Sequence, residues 1–148
     1  MRRSLPASLR LVAVVAFALI ACKSTTTPQG GLANARARWA ARGPDSYAVT
    51  VTRSCECMPE ASGSVRVTVR SKTVESRVYT SSGAAVAARY APVFPSVEEL
   101  FVMIDAAIRR GASVQVQYDP TSGYPTRFAE GDPAVDAPLL VLTDLSTR

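Results

Sequence analysis

Two stretches of this chain alternate apolar and polar residues with a period of two, and they limit what the rest can build. Tyr47, Val49 and Val51 alternate with Ala48, Thr50 and Thr52, and Val65, Val67 and Val69 alternate with Arg66, Thr68 and Arg70. Successive strand residues point to opposite faces, so each stretch reads as a strand with one buried face and one wet face. A third strand is expected at Thr73 to Thr80, then a turn at Ser81-Ser82-Gly83 and a weaker extended segment from Ala84 to Tyr90. Further on, Val114, Val116 and Tyr118 alternate with Ser113, Gln115 and Gln117, with Thr126 to Glu130 as the hairpin partner. Leu139 to Leu145 is a last apolar strand or short helix.

Helical periodicity interrupts this pattern twice. Leu32 to Arg42 is rich in helix formers, carries Leu32, Ala35 and Trp39 on one side, and stops at Gly43-Pro44. The second helix opens on a capping box, Ser96-Val97-Glu98-Glu99, in which Ser96 accepts from the Glu99 amide and the Glu99 side chain returns to the Ser96 amide. Val97, Leu100, Phe101, Ile104 and Ile108 then share one face, and Arg109-Arg110-Gly111 supplies terminal cations and a glycine stop. Because the strands sit in meanders instead of alternating with helices, the expected class is α+β. The expectation is a single small domain: a mainly antiparallel sheet of about five or six strands, with two helices packed on one face.

The first 21 residues are of a different kind. Met1 to Arg10 holds three arginines and no acid, and Leu11 to Ala21 is an unbroken apolar run. Eleven helical residues cover roughly half of a ~30 Å hydrocarbon core, too short to span a membrane but suited to a signal peptide. The run ends in Leu19-Ile20-Ala21-Cys22, which resembles the bacterial lipobox, where the thiol is diacylated and the chain is cut before it. The expected organisation is a lipoprotein signal at residues 1 to 21, a lipidated Cys22 with a flexible tether through residue 31, and a domain over residues 32 to 148. Lys23, where an Asp would signal inner-membrane retention in Gram-negative bacteria, leans the expected location to the outer membrane or cell surface. Three of the 17 Lys and Arg precede Cys22, so a chain starting there carries 14 cations against 12 acids, or +2. The basic balance therefore gives no argument for nucleic acid, and Arg66 and Arg70, with no interleaved aromatics, add none.

There is no histidine. Serine–histidine and cysteine–histidine nucleophile systems, histidine bases and histidine metal sites are thereby excluded. With Cys22 acylated, Cys55 and Cys57 are left to pair with each other or with another molecule. A structural disulfide suits an oxidising compartment, although residues two apart in a regular strand stand about 6.6–6.8 Å apart, so the backbone must pinch there. A thiol redox pair and a soft Cu(I) site with Met58 are the other readings. The segment Tyr118-Asp119-Pro120-Thr121-Ser122-Gly123-Tyr124-Pro125 reads first as turn chemistry: Asp119 binds following amides, Pro120 presets a turn, and Gly123 takes positive φ. Its functional reading is a binding patch of Tyr118, Asp119, Gly123, Tyr124 and Pro125 at a loop tip. Asp119, Glu130, Asp132 and Asp136 match no calcium loop, and no metal, cofactor or catalytic residue is expected.

The lipobox, Trp39 and Tyr47, Arg53-Ser54-Cys55-Glu56-Cys57, Leu100-Phe101, and Val116-Gln117-Tyr118-Asp119 with Gly123-Tyr124-Pro125-Thr126 together resemble one known group. This is the bacterial lipoprotein family catalogued as domain of unknown function 6174, over about residues 36 to 145. The resemblance implies location and domain extent and no activity. The expected protein is a monomeric, non-enzymatic, lipid-anchored envelope protein whose partners are the membrane, through Cys22, and an envelope protein or glycan. A redox protein using Cys55 and Cys57 is the alternative.

Overall fold

The computed structural model describes residues 27–132, 134 and 137–147. The leader, Cys22 and Asp136 lie outside the described residues. Six strands form one sheet: β1 (Tyr47–Ser54), β2 (Gly63–Arg70), β3 (Thr73–Tyr79), β4 (Val114–Tyr118), β5 (Pro125–Glu130) and β6 (Leu139–Thr147). The order is β3-β2-β1-β6-β5-β4, and every neighbouring pair is antiparallel. Two meanders, β1-β2-β3 and β6-β5-β4, thus meet along the β1–β6 seam. Each is preceded in the chain by a helix, α1 (Pro28–Arg42) or α2 (Val97–Arg109). The α+β expectation holds.

Register carries the alternation across the sheet. Val49 lies opposite Val67, Val51 opposite both Val65 and Leu142, and Phe128 opposite Leu140, so these residues share one face. They are buried together with Leu32, Ala35 and Trp39 of α1 and Val97, Leu100, Phe101 and Ile104 of α2, so both helices cover that face. The opposite face carries Thr50, Thr52, Thr68 and Arg66. Arg66 reaches from β2 across β1 to β6, donating to Thr50 Oγ1, the Asp144 carbonyl and Ser146 Oγ at 3.1, 2.9 and 2.8 Å.

The α2 capping box is complete: Ser96 Oγ accepts from the Glu99 amide at 3.2 Å, and Glu99 Oε2 accepts from the Ser96 amide at 2.7 Å. At the other end Gly111 takes φ 72°, and the Gly111 and Ala112 amides return to the Ile108 and Ala107 carbonyls, which closes the helix in a Schellman motif. Ala107 is fully buried, whereas Ile108 is half-buried at the fading end of the stripe.

Two expectations need correction, and a third, strand or short helix for Leu139 to Leu145, is narrowed to strand. Pro28 to Gly31, read as tether, form the first turn of α1. Thr27 Oγ1 caps it by accepting from the Gly30 amide at 3.1 Å, and Pro28 needs no intrahelical donor at that position. Ala84 to Tyr90 is not a strand. It makes one isolated bridge, Ala85 to Val78, and then a 3₁₀ turn over Ala88–Val93, because Pro92 cannot donate and the alanines bury little. Leu139 onward is a strand, and it sits in the middle of the sheet.

One carboxylate ties the helices to the sheet. Glu98 Oε1 accepts from Trp39 Nε1 of α1 at 3.0 Å, and Glu98 Oε2 accepts from the Tyr47 hydroxyl of β1 at 2.5 Å. That hydroxyl in turn accepts from the Val97 amide at 3.0 Å. The Trp39 and Tyr47 rings meet edge to face with centroids 5.5 Å apart. Gly43 permits this arrangement, since a Cβ there would lie 2.5 Å from Trp39 Cδ2.

Replacing Glu98 by Ala is expected to destabilise the domain by about 1–3 kcal/mol for each donor left without an acceptor, measured by urea unfolding. An E98A variant as stable as the parent would remove Glu98 from this role. The Tyr47 phenol is held far above its ordinary value, first by burial and then by the Glu98 hydrogen bond and charge. Its proton is kept in the folded state and lost by the unfolded chain above pH ~10, so this contribution is whole below that pH and falls as pH rises past it. Unfolding free energy followed from pH 8 to 11 should drop less steeply in Tyr47→Phe than in the parent.

Candidate functional site

The apolar alternation of β1 does not end where its apolar residues do. Tyr47, Val49 and Val51 set the covered face, and the next residue on it is Arg53, opposite Leu140 on β6 and Gly63 on β2. A guanidinium on an apolar face is costly unless it is used. Here Arg53 Nη1 donates to the Ala61 carbonyl at 2.5 Å and lies 2.9 and 3.2 Å from the sulfurs of Cys55 and Cys57. Burial lowers the pKa of this group. Extending the alternation by one step would have singled out Arg53 from sequence.

Cys55 and Cys57 are joined in a disulfide with Cα atoms 5.3 Å apart, within the usual range. The pinch this needs falls just past the end of β1 at Ser54. A 3₁₀ turn at Pro59–Ala61 follows, and the Tyr79 hydroxyl of β3 donates to the Glu60 carbonyl at 2.5 Å. The β1–β2 loop is therefore held at three places: by the disulfide, by Arg53 from within and by Tyr79 from the side. Its crest is open to water, with Glu56, Cys57, Pro59 and Glu60 exposed and Met58 at 60% exposure.

The Tyr118 to Pro125 segment is arranged differently. Asp119 Oδ1 accepts from the Thr121 amide, the Ser122 amide and Ser122 Oγ at 3.1, 2.6 and 2.7 Å. These bonds, the Ser122 amide foremost, hold its carboxyl below the usual range. Tyr118 is half-buried and stacks on Phe101 at 6.5 Å between centroids, and burial pushes its hydroxyl up to about 12. Tyr124 packs on Trp39 at 6.1 Å, and Pro125 is buried. Gly123 has φ 85° and lies so close to α1 that a Cβ would strike the Ala35 carbonyl oxygen and come within 2.8 Å of Arg38 Cβ. Arg42 Nη1 completes the junction by donating to the Thr121 carbonyl at 2.8 Å. Gly123 and Tyr124 thus seat α1, Tyr118 packs on α2, and Asp119 orders the turn itself.

Several other acids among the described residues have partners. Glu130 is held bidentately by Arg110 Nη2, with both oxygens at 2.9 Å. Glu99 pairs with Arg77, which also donates to the Phe94 carbonyl at 2.7 Å. Asp105 lies 2.8 Å from Arg109, and Asp132 Oδ1 accepts from the Ala134 amide at 2.9 Å. Among the described residues no three Cys, Asp or Glu side chains gather where they would hold a metal ion. No helix among them is long and apolar enough to cross a membrane.

No curated protein and no solved structure matches the chain. The family of unknown function DUF6174 matches residues 31–131, a span that runs from the first turns of α1 through β5 and includes both the clamped loop and the α1 seat. The chain is a member of the DUF6174 family.

Proposed function

We propose that the protein is a lipid-anchored component of the bacterial cell envelope that acts by binding, without catalysis, and that its contact surface is the crest of the Cys55 to Glu60 loop. The observation that carries this reading is the loop's construction. A short, solvent-facing segment with an exposed methionine and two exposed acids is held rigid at three places, whereas loops without a role are free to vary and move. Rigid display lowers the ordering cost of binding. The placement of the acids supports a non-catalytic role, since Glu99, Asp105, Asp119 and Glu130 are each engaged by a cation or a backbone amide and Glu98 by the Trp39 indole and the Tyr47 hydroxyl.

The anchor reading rests on the run Leu11 to Ala21 followed by Leu19-Ile20-Ala21-Cys22. With α1 capped at Thr27, only four residues separate Cys22 from the cap, five Cα steps with a reach of at most about 18 Å. The domain is then moored close to the lipid surface, within range of other envelope components.

One observation favours a second reading. The Arg53 guanidinium touches both sulfurs, and a cation beside a thiol lowers its pKa and favours the thiolate in the reduced form. That is the environment of a redox pair.

Intact mass of the native protein is expected to show a chain starting at Cys22 with an added diacylglyceryl group and a two-dalton deficit for the disulfide. Cys22→Ala should move the protein out of the membrane fraction; retention there would defeat the anchor. A photocrosslinker at Met58 is expected to capture a discrete envelope partner that one at Val102, on the exposed side of α2, does not. Equal capture from both positions would count against the loop. The Cys55/Cys57 couple is expected to titrate below about −300 mV, as structural disulfides do; a value between about −120 and −270 mV would turn the assignment to redox chemistry.

A further inference from the structure

Arg53 has a second neighbourhood besides the loop. It lines a cavity of about 360 Å³ together with Val93, Met103, Phe128, Glu130 and Leu140. The cavity lies between α2, the 3₁₀ turn at Ala88–Val93 and the inner face of β1, β5 and β6, and no α1 residue lines it. The helix seated on Gly123 and Tyr124 covers the Tyr47 end of the sheet, and the Arg53 end of the same face is left open. At this size the cavity falls at the small end of the ~300–1,000 Å³ range of ligand pockets. Taking ~30 Å³ for each water-sized group, it has room for about a dozen heavy atoms.

Its charge is asymmetric. The walls are apolar, and the two ionic groups on them are unequal. Glu130 is neutralised bidentately by Arg110, whereas Arg53 makes no ion pair among the described residues. Only Nη1 of Arg53 is taken up, by the Ala61 carbonyl and the sulfurs; Nη2 and Nε have no partner among the described residues. A guanidinium offers a planar fork of donors suited to a carboxylate, so one edge of this fork is occupied and the other is available. Met103 stands at the wall shared with a neighbouring cavity of about 260 Å³ lined by Arg77, Pro92 and Glu99, and its flexible thioether can adjust to the length of a guest.

We propose that this cavity binds a small amphipathic carboxylate, with the anion on the open edge of Arg53 and the apolar stem between Val93 and Met103 on one side and Phe128 and Leu140 on the other. The site lies at the root of the clamped loop but needs neither the lipid anchor nor a partner at Met58, so either proposal can fail without the other. Ligand binding at Arg53 would add a fourth restraint to the loop, through a residue that already touches both sulfurs.

The test titrates the full chain as isolated with 4-phenylbutanoate, the neutral 4-phenylbutanol and the cationic 4-phenylbutylamine, by calorimetry and ligand-detected NMR. The carboxylate is expected to bind at least tenfold more tightly than the alcohol, and the amine not at all. Arg53→Gln should weaken the carboxylate at least tenfold and leave the alcohol unchanged. Met103→Trp, which fills the cavity without altering charge, should abolish binding of both. Should Arg53→Gln fail to fold, as judged by the near-ultraviolet signal of Trp39, the carboxylate-to-alcohol ratio and Met103→Trp decide the matter. Equal affinity for carboxylate and alcohol, no binding of either, or unchanged binding in Met103→Trp overturns the proposal.

Discussion

The domain depends on one carboxylate placed at the meeting point of three elements. Glu98 sits on the first turn of α2, and its two oxygens receive the indole N–H of α1 and the phenol of β1. Neither donor is otherwise easy to place. Trp39 is the largest side chain α1 can bury, and its N–H must find an acceptor once the ring is covered; Tyr47 is wholly enclosed and carries a hydroxyl into the core. A single acid answers both, and the Val97 amide donates back to the phenol, so the start of α2 is set relative to β1 by polar contacts as well as by packing. With α2 so placed, its apolar stripe is buried in one core with the valines and leucines of β1, β2 and β6. With Trp39 so placed, α1 lies across the Gly123 turn.

Much of this architecture is readable from periodicity and from caps. The alternating valines of β1 and β2 give the faces directly, and Ser96 with Glu99 marks the start of α2 to the residue, because a capping box is a local motif whose chemistry is complete within four residues. What escapes is whatever depends on distant partners. Thr27-Pro28 is a sound helix start, but the glycine pair that follows has the composition of a linker, and only docking against α2, through Gln29 on Asp105 and Arg36 on the Phe101 carbonyl, shows that the turn is worth forming. The β2–β3 hairpin turns on Ser71 and Lys72, both at positive φ, without the Asn-Gly signal such turns usually carry. That conformation is held from outside: Lys72 bonds Asp45 through its amide and its ammonium group, and the Ser71 amide donates to Ser46 Oγ. Glu98 is visible in sequence as part of a cap and gives no sign of its larger role.

The same contrast separates the two stretches that sequence singles out for function. Both carry turn residues, aromatics or sulfur, and acids, and composition ranks them alike. Packing separates them. The Asp119 turn spends its side chains inward, on α1 and on its own amides, while the cysteine loop is braced from below and presents its side chains outward. Arg53 belongs to both the brace and the adjoining cavity because strand parity, which carries the valines inward, carries the next odd-numbered residue inward as well.

The sheet order has a consequence for how the chain comes together. β6 is the last strand in sequence and lies between β1 and β5, so the two meanders have no hydrogen bonds to each other until it arrives. Its partner β1 was made some ninety residues earlier, and pairings of such long separation are slow to close. A chain emerging amino end first must therefore hold β1 with one unpaired edge, and hold β4 and β5 as a separate hairpin, for as long as the final nine-residue strand is missing. Closure is then a single late event, in which one strand fills two open edges at once.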